Sequence, residues 1–179
     1  AVDYARFRLL PPGRILGYEG MNPAAARKLV ESSLQGLPRE APPLGVKGPQ
    51  AKALLVPFGL PVMEVAPEAS RRRVLLSLTV DPDFGPIWRF HRRGGASILR
   101  ITPLTDLDIA DVLARLELPK DCGLAETLGR LTQMVEELPW LHAFDAQVDI
   151  PPEGQAAPGP LPLLPGLRLS FAAPTLRMP

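Results

Sequence analysis

The sequence has 179 residues, 46% hydrophobic and 22% charged, with a formal net charge of +1. That length buries a real core in one domain or one domain with an appendage, and the near-neutral charge excludes a strongly basic nucleic-acid binder. A single cysteine, Cys122, excludes an intramolecular disulfide and suits a reducing compartment and an inert, half-buried thiol. No run approaches the roughly 18 apolar residues of a membrane helix, no signal peptide is visible, and a cytoplasmic location is expected. The alanine at position 1 means either a removed initiator methionine or an excised fragment.

From the start, Val2 to Leu10 alternates loosely and reads as an edge strand or extended arm. Asn22-Pro23 predicts a helix start, asparagine as N-cap and proline at the first helical position. That helix runs to about Gln35, with Ala26, Leu29, Val30, Ser33 and Leu34 on one face and Gly36 as its stop. A second helix is predicted from Pro49 to Val56, with Ala53, Leu54 and Phe58 inward. The 23 prolines concentrate in Pro38–Pro49, Pro57–Pro67 and Pro151–Pro165, which read as linkers or extended segments.

The most informative stretch runs from Val74 to Asp108. Val74 to Val80 is an apolar run expected to be a strand covered on both faces. Asp81-Pro82-Asp83-Phe84-Gly85-Pro86 stops it, since proline lacks a ladder donor and glycine permits positive φ. Ile87 to Phe90 returns, and Ser97 to Ile101 follows as a short third strand.

Between those two strands lies His91-Arg92-Arg93-Gly94-Gly95. Arg92, Arg93, Gly94 and Gly95 are a candidate anion-binding turn, two guanidinium groups beside free backbone amides; the alternative is a solvated hairpin loop. His91 and His142 have no partners in sequence that make a metal site or a catalytic base.

Thr105-Asp106-Leu107-Asp108 predicts an N-cap with acids in the first turn and a helix to about Leu116, closed by Pro119. Leu124, Leu128, Leu131, Val135 and Leu138 recur at helical spacing and form a core stripe from Gly123 to Leu138. In Leu141 to Ile150, Phe144, Ala146 and Val148 alternate with Asp145, Gln147 and Asp149, so one strand face is buried and the other carries acids. A metal between Asp145 and Asp149 competes with the commoner reading of an exposed acidic face. Leu167 to Phe171 is the last strand, and Ala172 to Pro179 a loose end. Charge is uneven: Arg71 to Arg100 holds seven arginines against two aspartates, and Thr105 to Glu153 eleven acids against three bases. Such segments are solvated faces, or let two copies or two partners meet with opposite potentials.

Four strings in order, GMNPAAARKLVESSL, GPQAKALLVPFGLPV, VLLSLTVDPDFGP and ITPLTDLD, resemble the ATP-grasp module of NDP-forming acyl-CoA synthetases, which also occurs in related GNAT-linked protein acetyltransferases. The resemblance covers most of residues 20–150. It implies an α/β fold, a mixed sheet with packed helices like the C-terminal lobe of an ATP-grasp domain, preceded by a short N-terminal helical segment. The domains expected are 1–66, an arm plus two helices, and 67–179, the lobe.

The same resemblance implies a nucleotide lobe, with a phosphate-binding lysine and an acidic hinge residue, where only Met63 to Arg73 stands here. Glu64 is then a relic of the hinge acid or a solvated linker charge. By the strand pattern, the family's metal-holding motifs fall on Asp145-Ala146-Gln147-Val148 and Leu163-Leu164-Pro165-Gly166, where the asparagine and the second aspartate are missing.

The expectation is therefore a truncated, degenerate module: a non-catalytic interaction or regulatory module with no catalytic residue, metal or cofactor of its own. A protein partner or a second copy is expected, a subunit of an acyl-CoA synthetase or acetyltransferase among the candidates, and neither nucleic acid nor membrane. The alternative is an enzyme subunit completed by a partner that supplies the nucleotide lobe. A weaker third reading is a small-anion sensor using the arginine-rich hairpin.

Overall fold

The computed structural model describes residues 13–68 and 72–173. The predicted arm at Val2 to Leu10, Arg71 and the end of the chain from 174 lie outside the described residues.

The elements run α1 Pro23–Leu34, β1 Leu44–Lys47, α2 Pro49–Leu55 with a 3-10 turn Val56–Phe58, β2 Arg73–Asp81, β3 Gly85–Arg92, β4 Ser97–Ile101, α3 Asp106–Arg115, α4 Leu124–Glu137, β5 Leu141–Asp149 and β6 Arg168–Phe171. The strands form one six-stranded sheet in the order β1-β6-β5-β2-β3-β4. The α/β class and the five strands read from the sequence hold. Every pairing between named strands is antiparallel, and among the described residues parallel contact is confined to an isolated bridge between Val62 and Leu163.

Local chemistry accounts for the helix starts. The Asn22 side chain accepts the Ala25 N–H and Pro23 opens α1. Thr105 and Asp108 form a reciprocal capping box on α3, with Asp106 and Asp108 in its first turn. The α4 stripe is fully buried at Leu124, Leu128 and Leu131, each such side chain stabilising by roughly 1.5–3 kcal/mol through removal from water.

The core lies between the helices and one face of the sheet. Val74, Leu76 and Leu78 of β2, Trp88 and Phe90 of β3, Ile98 of β4, Phe144, Ala146 and Val148 of β5 and Leu169 of β6 all enter it. Trp88 stacks on Phe90 and meets Phe144 edge-on. Residues from both sides of the predicted 66/67 boundary join this single cluster.

Four sequence expectations are corrected. The β2 strand is covered on one face only: Leu75 and Ser77 are half-buried and Thr79 is exposed, because the apolar faces of the helices join the core on the other side. Leu29 of α1 is 46% exposed and Ala53 of α2 is exposed; Ala26, Val30 and Leu34, and Ala51, Leu54 and Leu55, point inward instead. The Pro38–Pro49 stretch contains β1, which pairs with β6 at the sheet edge. The Pro151–Pro165 stretch buries Leu161, Leu163 and Leu164. In both stretches prolines flank short apolar pieces whose partners lie far along the chain, so neither behaves as a linker.

Among the described residues, no helix is long and apolar enough to cross a membrane.

Candidate functional site

Strand alternation places every second side chain on the uncovered face of the sheet. On β5 these are Ala143, Asp145, Gln147 and Asp149; on β2, Arg73, Leu75, Ser77 and Thr79; on β3, Ile87, Arg89 and His91; on β6, Arg168 and Ser170. None is buried.

A cleft of about 240 Å³ opens on this face where β5 and β6 meet the turn before β6. Ser77, Asp145, Gln147 and Arg168 supply its polar groups, and Leu75, Pro165 and Gly166 its walls. The turn is held from below, as Leu164 N–H donates to the Gln147 carbonyl (2.8 Å) and Leu163 exchanges backbone hydrogen bonds with Pro61 and Met63. Gly166 takes φ +88°, which only glycine adopts freely. Of the two stretches that the sequence offered as metal-motif positions, Asp145, Ala146 and Gln147 of the first and Pro165 and Gly166 of the second line this cleft.

Among the described residues the polar lining of this cleft is one hydroxyl, one carboxylate, one amide and one guanidinium. Asp145 is the only carboxylate lining the cleft among the described residues; it accepts a hydrogen bond from Ser77 Oγ (2.9 Å), and Arg168 is its register partner on β6. Asp149 is held by Arg73 through two hydrogen bonds of 2.8 and 3.0 Å, which raise the Arg73 guanidinium above its ordinary pKa, burial opposing. Leu163 and Leu164, on which the sequence resemblance places the second motif, are buried. Magnesium is held by one or two carboxylates together with substrate phosphates in near-octahedral oxygen geometry; the described lining offers one carboxylate, which already accepts from Ser77. No group of three metal-binding side chains occurs among the described residues.

The Arg92–Gly95 turn sends its two arginines to different surroundings. Arg92 Nη1 donates to the carbonyls of Leu116 (2.9 Å) and Glu117 (3.4 Å), at the C-terminus of α3. Arg93 and Gly94 are exposed, Gly94 has φ +74°, and the Gly95 N–H closes the turn on the Arg92 carbonyl. Glu64, the possible hinge relic, pairs with Lys52 and is largely exposed. His91 leaves a buried Nδ1 without a hydrogen-bond partner.

Sequence reasoning missed Ser77, Arg73 and Arg168. Ser77 was visible as the polar interruption in an apolar run, but its partner Asp145 lies 68 residues away and only the β2–β5 register joins them.

No protein-family model and no curated protein matches the sequence. Solved structures do. The chain is similar to PH1788 from Pyrococcus horikoshii Ot3, with 16% identity over 86% of this chain and 100% of that one, at a TM-score of 0.62. It is also similar to the apo form of the dinucleotide-forming acetyl-coenzyme A synthetase 1 of Ca. Korarchaeum cryptofilum, with 15% identity over 82% of this chain and 99% of that one, at a TM-score of 0.55. At such identities the likeness is one of fold, and the α/β architecture of this chain is similar to that of an acetyl-coenzyme A synthetase chain.

Proposed function

We propose that the chain is a non-catalytic interaction or regulatory module derived from an acyl-CoA synthetase-like ATP-grasp domain, working in the cytoplasm beside a synthetase or acetyltransferase. The observation that supports this is the cleft on the uncovered sheet face, where among the described residues Asp145 is the one acid, hydrogen-bonded by Ser77 and in register with Arg168. Phosphoryl transfer depends on metal and charge placement, and among the described residues this lining offers one carboxylate and one guanidinium.

A second reading, an enzyme subunit whose partner supplies the nucleotide lobe, is favoured by the presence of Asp145, Gln147, Pro165 and Gly166 in the lining of that one cleft. Calorimetric titration of the purified chain with magnesium and ATP separates the two. The interaction reading expects no heat of binding. Sub-millimolar binding that Asp145→Ala or Gln147→Ala abolishes would falsify it. Native mass measurement in extract, with identification of any co-purifying chain, then tests for the partner.

A further inference from the structure

Across the uncovered face one register row runs from Arg168 of β6 through Asp145 of β5 and Ser77 of β2 to Arg89 of β3. Arg168 and Asp145 are neighbours of opposite charge, about one strand spacing or 5 Å apart, yet no ion pair joins them. Asp145 instead accepts from Ser77 Oγ through one oxygen (2.9 Å), and Arg168 has no hydrogen-bond or ion-pair partner among the described residues. The nearby charges are engaged elsewhere. Arg89 Nε donates to Ser97 Oγ on β4 (2.9 Å), and Arg73 holds Asp149. Lys52 and Glu64, which border the hollow on the far side of the 165–167 turn, pair with each other. The described lining of the cleft therefore sets one negative charge beside one positive charge. The Ser77 hydroxyl and the Gln147 amide stand next to them, and half-buried Leu75 and Pro165 form an apolar wall.

That pattern selects a ligand class by its charges. A simple anion gains from Arg168 but is repelled by Asp145 one strand away, and a diamine meets the reverse. A molecule with an ammonium and a carboxylate on one carbon satisfies both groups at once: its carboxylate accepts from the guanidinium fork, and its ammonium donates to the second Asp145 oxygen. Closing Arg168 on Asp145 instead would contribute only about 0–1 kcal/mol at so exposed a site, so the pair competes weakly with such a ligand. The cleft volume of about 240 Å³ lies below the roughly 300–1,000 Å³ of sites for drug-sized molecules and suits a ligand of amino-acid size.

We propose that the cleft binds a free α-amino acid with an apolar side chain, as its zwitterion, and that this is the small molecule to which the regulatory module responds. The proposal deepens the non-catalytic reading of the cleft and rests on it. The test is a titration of the isotope-labelled full chain with leucine, N-acetyl-leucine and leucinamide, read from the backbone amide shifts of Gln147, Gly166 and Arg168, with magnesium and ATP as a separate arm. The expected result is saturable shifts with leucine at a Kd on the order of 1 mM, and binding at least about threefold weaker for each derivative, which lacks one of the two charges. Arg168→Gln should abolish the discrimination against leucinamide, and Asp145→Asn that against N-acetyl-leucine; both positions are exposed, so neither change disturbs the core. Absence of saturable shifts with leucine well above that Kd, equal binding of all three compounds, or discrimination unchanged in either variant overturns the proposal. Shifts of the same amides with magnesium and ATP overturn the non-catalytic reading beneath it, whereas a chain silent to both ligands overturns the amino-acid assignment alone.

Discussion

The Tyr18 hydroxyl occupies the space into which a β-carbon on Gly129 would project, while Arg130, the next residue of α4, lies over the Tyr18 ring at 4.9 Å. The segment before α1 is thus clipped onto the middle of α4. Arg130 extends the clip by donating to the Phe58 carbonyl (3.1 Å) and to Glu126 on its own helix, and Gln133 donates to the Leu16 carbonyl (2.8 Å). Glycine at 129 serves here for close approach and not for backbone freedom.

Gly129→Ala should therefore destabilise the fold by about 1–3 kcal/mol, an overpacking cost that outweighs the helix propensity of alanine. Adding Tyr18→Ala removes the collision, so the two changes should be strongly non-additive in urea unfolding. Additive losses would mean that the ring and the helix do not meet.

The α4 stripe is structural. Leu128→Ala and Leu131→Ala, at fully buried positions, should each cost about 2–5 kcal/mol through lost transfer energy and a residual cavity. Thermal unfolding followed by circular dichroism measures this. An unchanged melting temperature in both variants would show that the stripe is not packed.

Adjacent arginines in the β3–β4 turn should separate into two roles. Arg92 satisfies carbonyls at the C-terminus of α3, where a cation also complements the helix dipole, so Arg92→Ala should lose about 1 kcal/mol. Arg93 is exposed, and Arg93→Ala should change stability by less than about 0.5 kcal/mol. Equal denaturation midpoints for the two variants would refute the assignment.

Burial raises the pKa of the Cys122 thiol, and burial followed by the nearby Glu126 raises that of Tyr18, Arg130 opposing. Both groups keep their protons longer in the folded chain than in the unfolded one. Stability is therefore complete below the unfolded values and is lost as pH rises toward the raised folded values, first through the thiol range and then through the tyrosine range. Urea midpoints measured from neutral pH upward should fall accordingly, and Cys122→Ser should remove the earlier part of the fall. Native Cys122 should also react slowly with a thiol reagent and quickly once unfolded.

What the sequence determined by itself is what near neighbours decide. The Asn22-Pro23 start of α1, the Thr105–Asp108 box of α3, the stripe of α4 and the two-residue period of β5 each arise within one or two turns or pleats of chain, where capping, helical periodicity and pleat alternation act. The residues Asp145 and Gln147 were legible as outward-facing for the same reason.

Only the tertiary structure decided which face of β2 is covered, that Leu44–Lys47 is a strand although prolines stand on both sides, and that Leu161, Leu163 and Leu164 belong to the core. It alone set Ser77 against Asp145, Arg73 against Asp149 and Arg92 against the end of α3. Each of these depends on register or packing between segments tens of residues apart. The same short apolar or charged stretch satisfies local rules in several places, and a one-residue slip in strand pairing would turn its side chains to the other face of the sheet.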